Sequence, residues 1–413
     1  MAVEKSNSSQ NGDSNAISDL TPSSMKNPNP MGDDKTLIGP MRTPPSVSSK
    51  NVYIASPTIM GDQSSMTHIS DVAVQDLSSE RLLKDAPRIE INGKPCPSLN
   101  KIPLLAKIGQ GGMGAVYYGI HPRLRSEVAV KVLPFHLAEQ DPGMVRRFFR
   151  EAQIAAQVHS PHLVNVLDVN EESGLFFLVM EYVAGRTSGQ ILKNLLEKGD
   201  SGYTEADTLD VCIAACEGLN AAHSQNIVHR DLKPENIMVP YLSRSEKSFD
   251  LKNSKLMDLG LARSEESSSQ SLTGAQAAMG TPGYMAPEQA LDAKTADKRS
   301  DVFGMGATLY CLLTGCAPFR GDAVMKTLMD TIYEPHVSIR VVRPDISTTF
   351  AELIDRCLDK KQENRYQDAN QLLRALKNCR RQLSSSSESR GDLDGVAGTG
   401  LSAMPQSQHG LPQ

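Results

Sequence analysis

The chain has 413 residues, a formal net charge of −5 and 39% hydrophobic residues. That length suits one large domain or two ordinary ones. The mildly acidic balance gives no compositional ground for nucleic acid or an anionic membrane as partner. Seven cysteines, at 96, 212, 216, 311, 316, 357 and 379, form no C-x-x-C pair. Neither a zinc site nor a disulfide framework is indicated, and they read as reduced cytosolic thiols. Cys212 and Cys216, four residues apart, read as small buried core residues.

The opening "MAVEKSNSSQNGDSN" lacks the basic and apolar segments of a secretory signal. No run of about 18 apolar residues occurs, so a cytoplasmic chain with no membrane span is expected. Residues 1–98 are rich in Ser, Asn and Pro, and such a segment buries too little apolar surface to offset its conformational entropy. The same holds for 383–413, so two disordered tails are expected around a domain at 99–382. Within the first tail, "DKTLIGP" and "SPTIMGD" share a pattern of Thr, two bulky apolar residues and Gly, at Thr36 and Thr58. The recurrence is either accidental or a modification motif.

The domain opens with strand-like "IPLLAKIG", "GAVYYGI" and "EVAVKVLPF". The first two flank Gly109-Gln110-Gly111-Gly112-Met113-Gly114-Ala115-Val116, of G-x-G-x-x-G-x-V form. A plain hairpin turn fits it, and so does a lid whose backbone N–H groups cover phosphates. A dinucleotide fingerprint would instead open a helix. Lys131 stands in an apolar strand, where a lone ammonium is expensive, so it needs an anion. Glu151, on the amphipathic helix "PGMVRRFFREAQIAAQV", is a candidate. That pair is either purely structural or an orienting contact that aims Lys131 at phosphate oxygens.

Two more strands follow, "LVNVLDV" and "LFFLVMEYV", and then long helices, among them "EADTLDVCIAACEGLNAAHSQ", "SDVFGMGATLYCLLTG" and "DANQLLRALKNCRRQL". A small β-rich lobe followed by a larger α-rich lobe leaves a cleft between them. In "IVHRDLKPENIMV" an apolar run is broken by His229, Arg230, Asp231, Lys233, Glu235 and Asn236. Asp231 can accept a proton, Lys233 can neutralise a transferring phosphoryl group, and Asn236 offers an oxygen to a hard cation. "KLMDLGLAR" sets Asp258 in a mostly apolar run, where a carboxylate needs compensation. Asp258 reads as a ligand of Mg²⁺ that holds the phosphates of ATP.

With "GQGGMGAV", "VAVK", "FFREAQ", "HRDLKPEN", "DLG" and "GTPGYMAPEQ" in this order, the chain resembles the protein kinase family, and within it the bacterial eukaryotic-like Ser/Thr kinases. The resemblance covers about residues 100–380. It implies a bilobal α+β fold and an ATP-binding cleft lined by Ile108 to Val116, Ala129 and Lys131. Met180 would be the gatekeeper, with Glu181 to Val183 as the hinge. It implies Asp231 as proton acceptor, assisted by Lys233, Lys131 pairing with Glu151, and Asn236 with Asp258 as ligands of Mg²⁺, or of Mn²⁺. Asp301 would cap the catalytic-loop backbone, and Glu288 would pair with Arg365. Arg230 and Thr273 would form a phosphorylation switch in the activation loop, with Thr281 needed unmodified near Asp231. "DLKPEN" and "GTPGYMAPE" resemble the Ser/Thr-specific pattern.

The partners implied are protein substrates, a transient second copy for trans-autophosphorylation, and a forkhead-associated domain reading phosphothreonine. Leu259 replaces the commoner Phe as an apolar plug. Residues 240–254 read as a surface insertion. Two competing readings are a pseudokinase scaffold and a small-molecule phosphotransferase. The first usually lacks one of Lys131, Asp231 and Asp258; the second lacks "GTPGYMAPEQ".

Overall fold

A computed structural model describes residues 74–111, 114–133, 142–243, 248–259 and 282–394. The chain divides into two units, Met1–Ser49 and Lys50–Gln413, and all described residues lie in the second. Strands β1 (Arg88–Ile91), β2 (Lys94–Leu99), β3 (Ile102–Gly111), β4 (Gly114–Ile120), β5 (Glu127–Val132), β6 (Val166–Glu172) and β7 (Leu175–Glu181) form one antiparallel sheet, in the order β1-β2-β3-β4-β5-β7-β6. Helix α1 (Pro142–Ala155) lies between β5 and β6 in sequence. The β2–β3 turn reaches across to β6: the Asn100 N–H donates to Glu172 Oε2 at 2.6 Å. The sheet therefore curls.

This sheet corrects the expected start of the domain at 99. Residues 74–98 are ordered, and β1 and β2 extend the sheet. Leu77, Leu83 and Leu99 are buried with Leu104, Tyr117 and Val130. The hairpin turns on Asn92-Gly93, both at positive φ, as a two-residue turn matched to strand twist requires.

The helical part contains a short sheet of β8 (Gly185–Thr187), β9 (Ile237–Pro240) and β10 (Lys255–Leu256). Its helices are α2 (Ser188–Glu197), α3 (Glu205–Ser224), α4 (Pro287–Leu291), α5 (Lys298–Thr314), α6 (Val324–Tyr333), α7 (Ile339–Val342), α8 (Thr348–Cys357) and α9 (Ala369–Asp394). Helix α5 is buried along almost its whole length, which is why it is apolar on all sides. Cys212 and Cys216 of α3 are fully buried in the same core.

The expected tail at 383 is also corrected, because α9 continues to Asp394. The insertion at 240–254 is a short hairpin at its base, where the Tyr241 and Phe249 rings stack at 5.3 Å. Among the described residues no helix is long and apolar enough to cross a membrane.

Candidate active site

The glycine-rich turn joins β3 to β4, with Lys107 opposite Tyr117 and Gly109 opposite Val116. Gly112 and Met113 lie outside the described residues. Strand β5 carries Ala129 and Lys131 opposite Met180 and Leu178 of β7. Ala129, Met180 and Leu259 are buried in one apolar cluster, against which Ile108 and Val116 pack. Leu259 thus sits as an apolar plug. The Glu181 N–H donates to Asn165 O at 2.9 Å. Its carboxylate takes Lys255 Nζ at 2.7 Å and Asn165 Nδ2 at 3.0 Å.

Lys131 finds its anion in Asp258. Nζ lies 2.8 Å from Oδ1, with the lysine side chain 13% exposed. The side chain of Glu151 falls outside what the structure describes, so the anion seen on Lys131 is Asp258. Burial pushes the Asp258 carboxyl up, yet Lys131, by its charge and its hydrogen bond, holds it below the ordinary aspartate range.

Asp301 organises the catalytic loop. It starts the second turn of buried α5 and is itself buried. Its Oδ2 accepts from the His229 N–H at 2.7 Å and from His223 Nε2 at 2.8 Å, and its Oδ1 accepts from the Arg230 N–H at 2.7 Å. Gln289 Nε2 donates to Arg230 O at 2.9 Å. These contacts hold Arg230 at φ 64°, a conformation a bulky residue keeps only where its surroundings fix it.

His229 donates from Nε2 to Met257 O at 2.8 Å and accepts the Asp231 N–H on Nδ1 at 3.3 Å. These two bonds select the neutral Nε2–H tautomer. Asn236 O accepts from the Met257 N–H at 2.9 Å. Met257 thus ties the segment before Asp258 to the loop that carries Asp231. Asp258 follows at φ 54°.

On Asp231, Oδ2 accepts from Lys233 Nζ at 2.8 Å and from Asn236 Nδ2 at 3.1 Å. Asn236 Nδ2 also donates to Asp231 O at 2.7 Å. With both amide hydrogens given to Asp231, the Asn236 amide oxygen remains as a hard donor. The carboxylate of Asp258 is another, so the donor chemistry fits Mg²⁺.

Beneath the loop, Glu288 Oε1 and Oε2 take Arg365 Nη1 and Nη2, both at 2.9 Å. Ser300 Oγ donates to Glu288 Oε1 at 2.6 Å. Thr273 and Thr281 lie outside the described residues, as do Thr36 and Thr58.

A family model described as the protein kinase domain matches residues 103–376. The chain belongs to the protein kinase family. A probable serine/threonine-protein kinase of Clostridium acetobutylicum is 34% identical over 281 residues, 68% of this chain and 40% of that protein. The serine/threonine-protein kinase PknB of Mycobacterium tuberculosis is 36% identical over 269 residues, 64% of this chain and 40% of that protein. The chain thus spans about two fifths of the length of these curated relatives.

Among solved structures, the PknI kinase domain of Mycobacterium tuberculosis superposes with a TM-score of 0.52 at 23% identity, over 68% of this chain and 97% of that one. Rad53 residues 1–466 in complex with AMP-PNP gives 0.51 at 22%, over 66% of this chain and 64% of that one. At those identities the likeness concerns the fold alone: a curled β-rich lobe and a helical lobe.

Sequence reasoning missed three site residues. Lys255 engages Glu181 across 74 positions, His223 links Asp301 to the Ala369 N–H at the start of α9, and Gln289 holds the Arg230 carbonyl. Nothing in their immediate sequence signals these pairings. The 74–99 hairpin did carry a signal, in the Asn92-Gly93 turn between alternating residues.

Proposed function

We propose that this chain is an ATP-dependent protein kinase that transfers the γ-phosphoryl group to Ser and Thr hydroxyls of proteins. The observation that carries the reading is the catalytic loop: Asp231, oriented by Lys233 and Asn236, is tied through Met257 to the Asp258–Lys131 pair. A proton acceptor, a cation for the moving phosphoryl group and two hard oxygen donors are thereby linked through the Met257–Asp258 segment. Further support comes from the names of the bacterial relatives and from the AMP-PNP bound to Rad53.

In this reading the purine lies between Ile108, Val116, Ala129 and Met180. Its edge meets the Glu181 carbonyl and the Val183 N–H, because the Glu181 N–H is bonded to Asn165. Lys131 holds the α- and β-phosphates, with Glu151 as a further partner. Asp231 takes the proton of the acceptor hydroxyl as that hydroxyl's oxygen bonds the γ-phosphorus and the bond from γ-phosphorus to the β,γ-bridging oxygen breaks, releasing ADP. Lys233 meets the charge of the transferring group. Bound by Asn236 and Asp258, Mg²⁺ supplies charge neutralisation of the phosphates.

Around this centre we place a regulatory layer. Thr273 is the autophosphorylation site that orders the activation loop against Arg230. Phosphorylation passes between transiently paired copies. Thr36 and Thr58 are further autophosphorylation sites whose phosphothreonines dock a forkhead-associated domain.

Incubation with radiolabelled Mg-ATP and a generic protein substrate tests the catalytic reading. Label on protein Ser or Thr, lost in Asp231→Asn, supports it. Nucleotide binding without transfer would make the chain a scaffold, and transfer only to a small molecule would overturn the protein substrate.

A further inference from the structure

Residues 74–99 lie outside the matched region 103–376, yet they are built into the sheet. Its first residues cover the outer edge of β3. The Gln75 N–H donates to Leu105 O at 2.8 Å, and the Lys107 N–H donates to Gln75 Oε1 at 2.9 Å. Leu77 and Leu83 are buried on either side of Glu80 in sequence, which fixes where that carboxylate stands.

Glu80 takes Lys107 Nζ at 2.8 and 3.1 Å and the Tyr117 hydroxyl at 3.3 Å. Lys107 and Tyr117 face each other across β3 and β4. They are the cross-strand pair just before the irregularity at Lys107/Gly109 and the glycine-rich turn. One carboxylate therefore clasps both roots of the hairpin that would cover the phosphates. The Tyr117 ring is fully buried. Burial, with the Glu80 charge adding to it, pushes its hydroxyl well above the ordinary tyrosine value, so it stays a donor.

We infer that Glu80 is a positioning residue for nucleotide binding, which sets the tilt of the glycine-rich hairpin by clasping Lys107 and Tyr117. The inference rests on the reading of the cleft as an ATP site. It differs from a merely structural brace in what it predicts. A brace would change melting. A clasp changes how well the turn meets phosphates, and so changes nucleotide affinity before it changes the chemical step. Hairpin geometry is transmitted because the strands are rigid there: Tyr117 pairs with Val130 of β5, next to Lys131.

The test uses the full chain. The Kd for Mg-ATP is measured by titration calorimetry, and KM for ATP and kcat by phosphotransfer, in wild type, Glu80→Ala and Glu80→Gln. In Glu80→Ala, Kd and KM should rise about five- to tenfold, the scale of one ordinary hydrogen bond, with kcat at saturating ATP within about twofold. Glu80→Gln keeps an acceptor oxygen and should fall between the two. Unchanged Kd and KM in Glu80→Ala, with or without a lower melting temperature, overturns the inference.

Should Glu80→Ala fail to fold, Tyr117→Phe removes the hydroxyl and keeps the buried ring. It should raise Kd by about two- to threefold, and a wild-type Kd there overturns the inference equally. Wild type that binds ATP but transfers no phosphate defeats the kinase reading alone, because the calorimetric comparison still decides the clasp.

Discussion

Replacing Arg365 with methionine removes a fully buried guanidinium and five hydrogen bonds with it. Nε donates to Asp359 O at 2.7 Å, Nη1 to Glu288 Oε1 and Arg299 O at 2.9 and 3.1 Å, and Nη2 to Glu288 Oε2 and Lys360 O at 2.9 and 3.1 Å. The guanidinium carbon also lies 4.9 Å from the centre of the Phe303 ring. Methionine fills much of the volume, but it leaves Glu288 with Ser300 as its remaining side-chain donor and strands three carbonyls. Breaking one side of a buried pair costs ~3–5 kcal/mol. Against a typical domain stability of ~5–15 kcal/mol, that is a large share.

At the usual ~2–4 °C per kcal/mol for a domain of this class, the melting temperature should fall by roughly 10 °C. Arg365→Lys should lose most of the same stability, since an ammonium cannot bridge both Glu288 oxygens and the carbonyls together. Glu288→Gln combined with Arg365→Met should cost less than the sum of the two single changes. Scanning calorimetry and urea denaturation measure wild type and all four variants. A midpoint for Arg365→Met within about 2 °C of wild type, or strict additivity in the double variant, would refute the reasoning.

Asp231→Asn and Lys131→Met should each lower phosphotransfer by at least ~10²-fold with the far-UV spectrum unchanged; near-wild-type rates in Asp231→Asn would contradict its assignment as proton acceptor. Burial raises the Glu288 carboxyl, but hydrogen bonds and charge from Arg365 hold it below the ordinary glutamate value. Its stabilisation is complete above that value and is lost as pH falls through the lowered one, so Glu288→Gln should flatten the acid limb of a stability–pH curve. Lys360, its Nζ lying 3.8 Å from the centre of the Phe319 ring, is brought down to about 8 by burial and then by Arg365. Between pH 8 and its ordinary value near 10.5 the unfolded chain binds more protons, so stability should gain from rising pH there. Lys360→Met should remove that gain in denaturation curves taken across the interval.

What the sequence disclosed was what local pattern controls. The apolar alternation of "EVAVKV" and the buried length of "SDVFGMGATLY" each specify an element whose burial follows from composition. Gly304 packs against the catalytic loop. An added Cβ would lie 3.1 Å from that of Leu232 in the catalytic loop, so helix and loop pack closely there. Gly306 lies instead against Cys357 of α8, where a Cβ would come within 2.5 Å. Two residues along a helix are about 200° apart, so the two glycines face opposite ways, yet the sequence holds no record of which neighbour each one meets. The tail boundaries were misplaced for a related reason. Segment 74–98 is polar on average, but Leu77, Leu83 and Cys96 within it are buried, and average composition conceals a sparse anchor pattern.

The pairs that hold the site together were the least legible. Lys131 and Asp258 are 127 positions apart, and His223 and Asp301 are 78 apart. For Lys131 and for Asp258 the sequence showed that a charge in an apolar setting needs a partner, and burial cost alone establishes that need. It does not choose among candidates. The sequence offered Glu151 as the anion for Lys131 and assigned Asp258 to Mg²⁺ alone. Only the fold, which sets β5 beside the segment following β10, puts an Asp258 oxygen 2.8 Å from Nζ. The demand is thus a local property of the strand, while its satisfaction is a property of topology. The catalytic loop shows the same division. The acidic, basic and amide groups of "HRDLKPEN" are local, but their orientation depends on Asp301, Gln289 and Met257 from three distant segments. A motif transplanted without those three supports would keep its chemistry and lose its geometry.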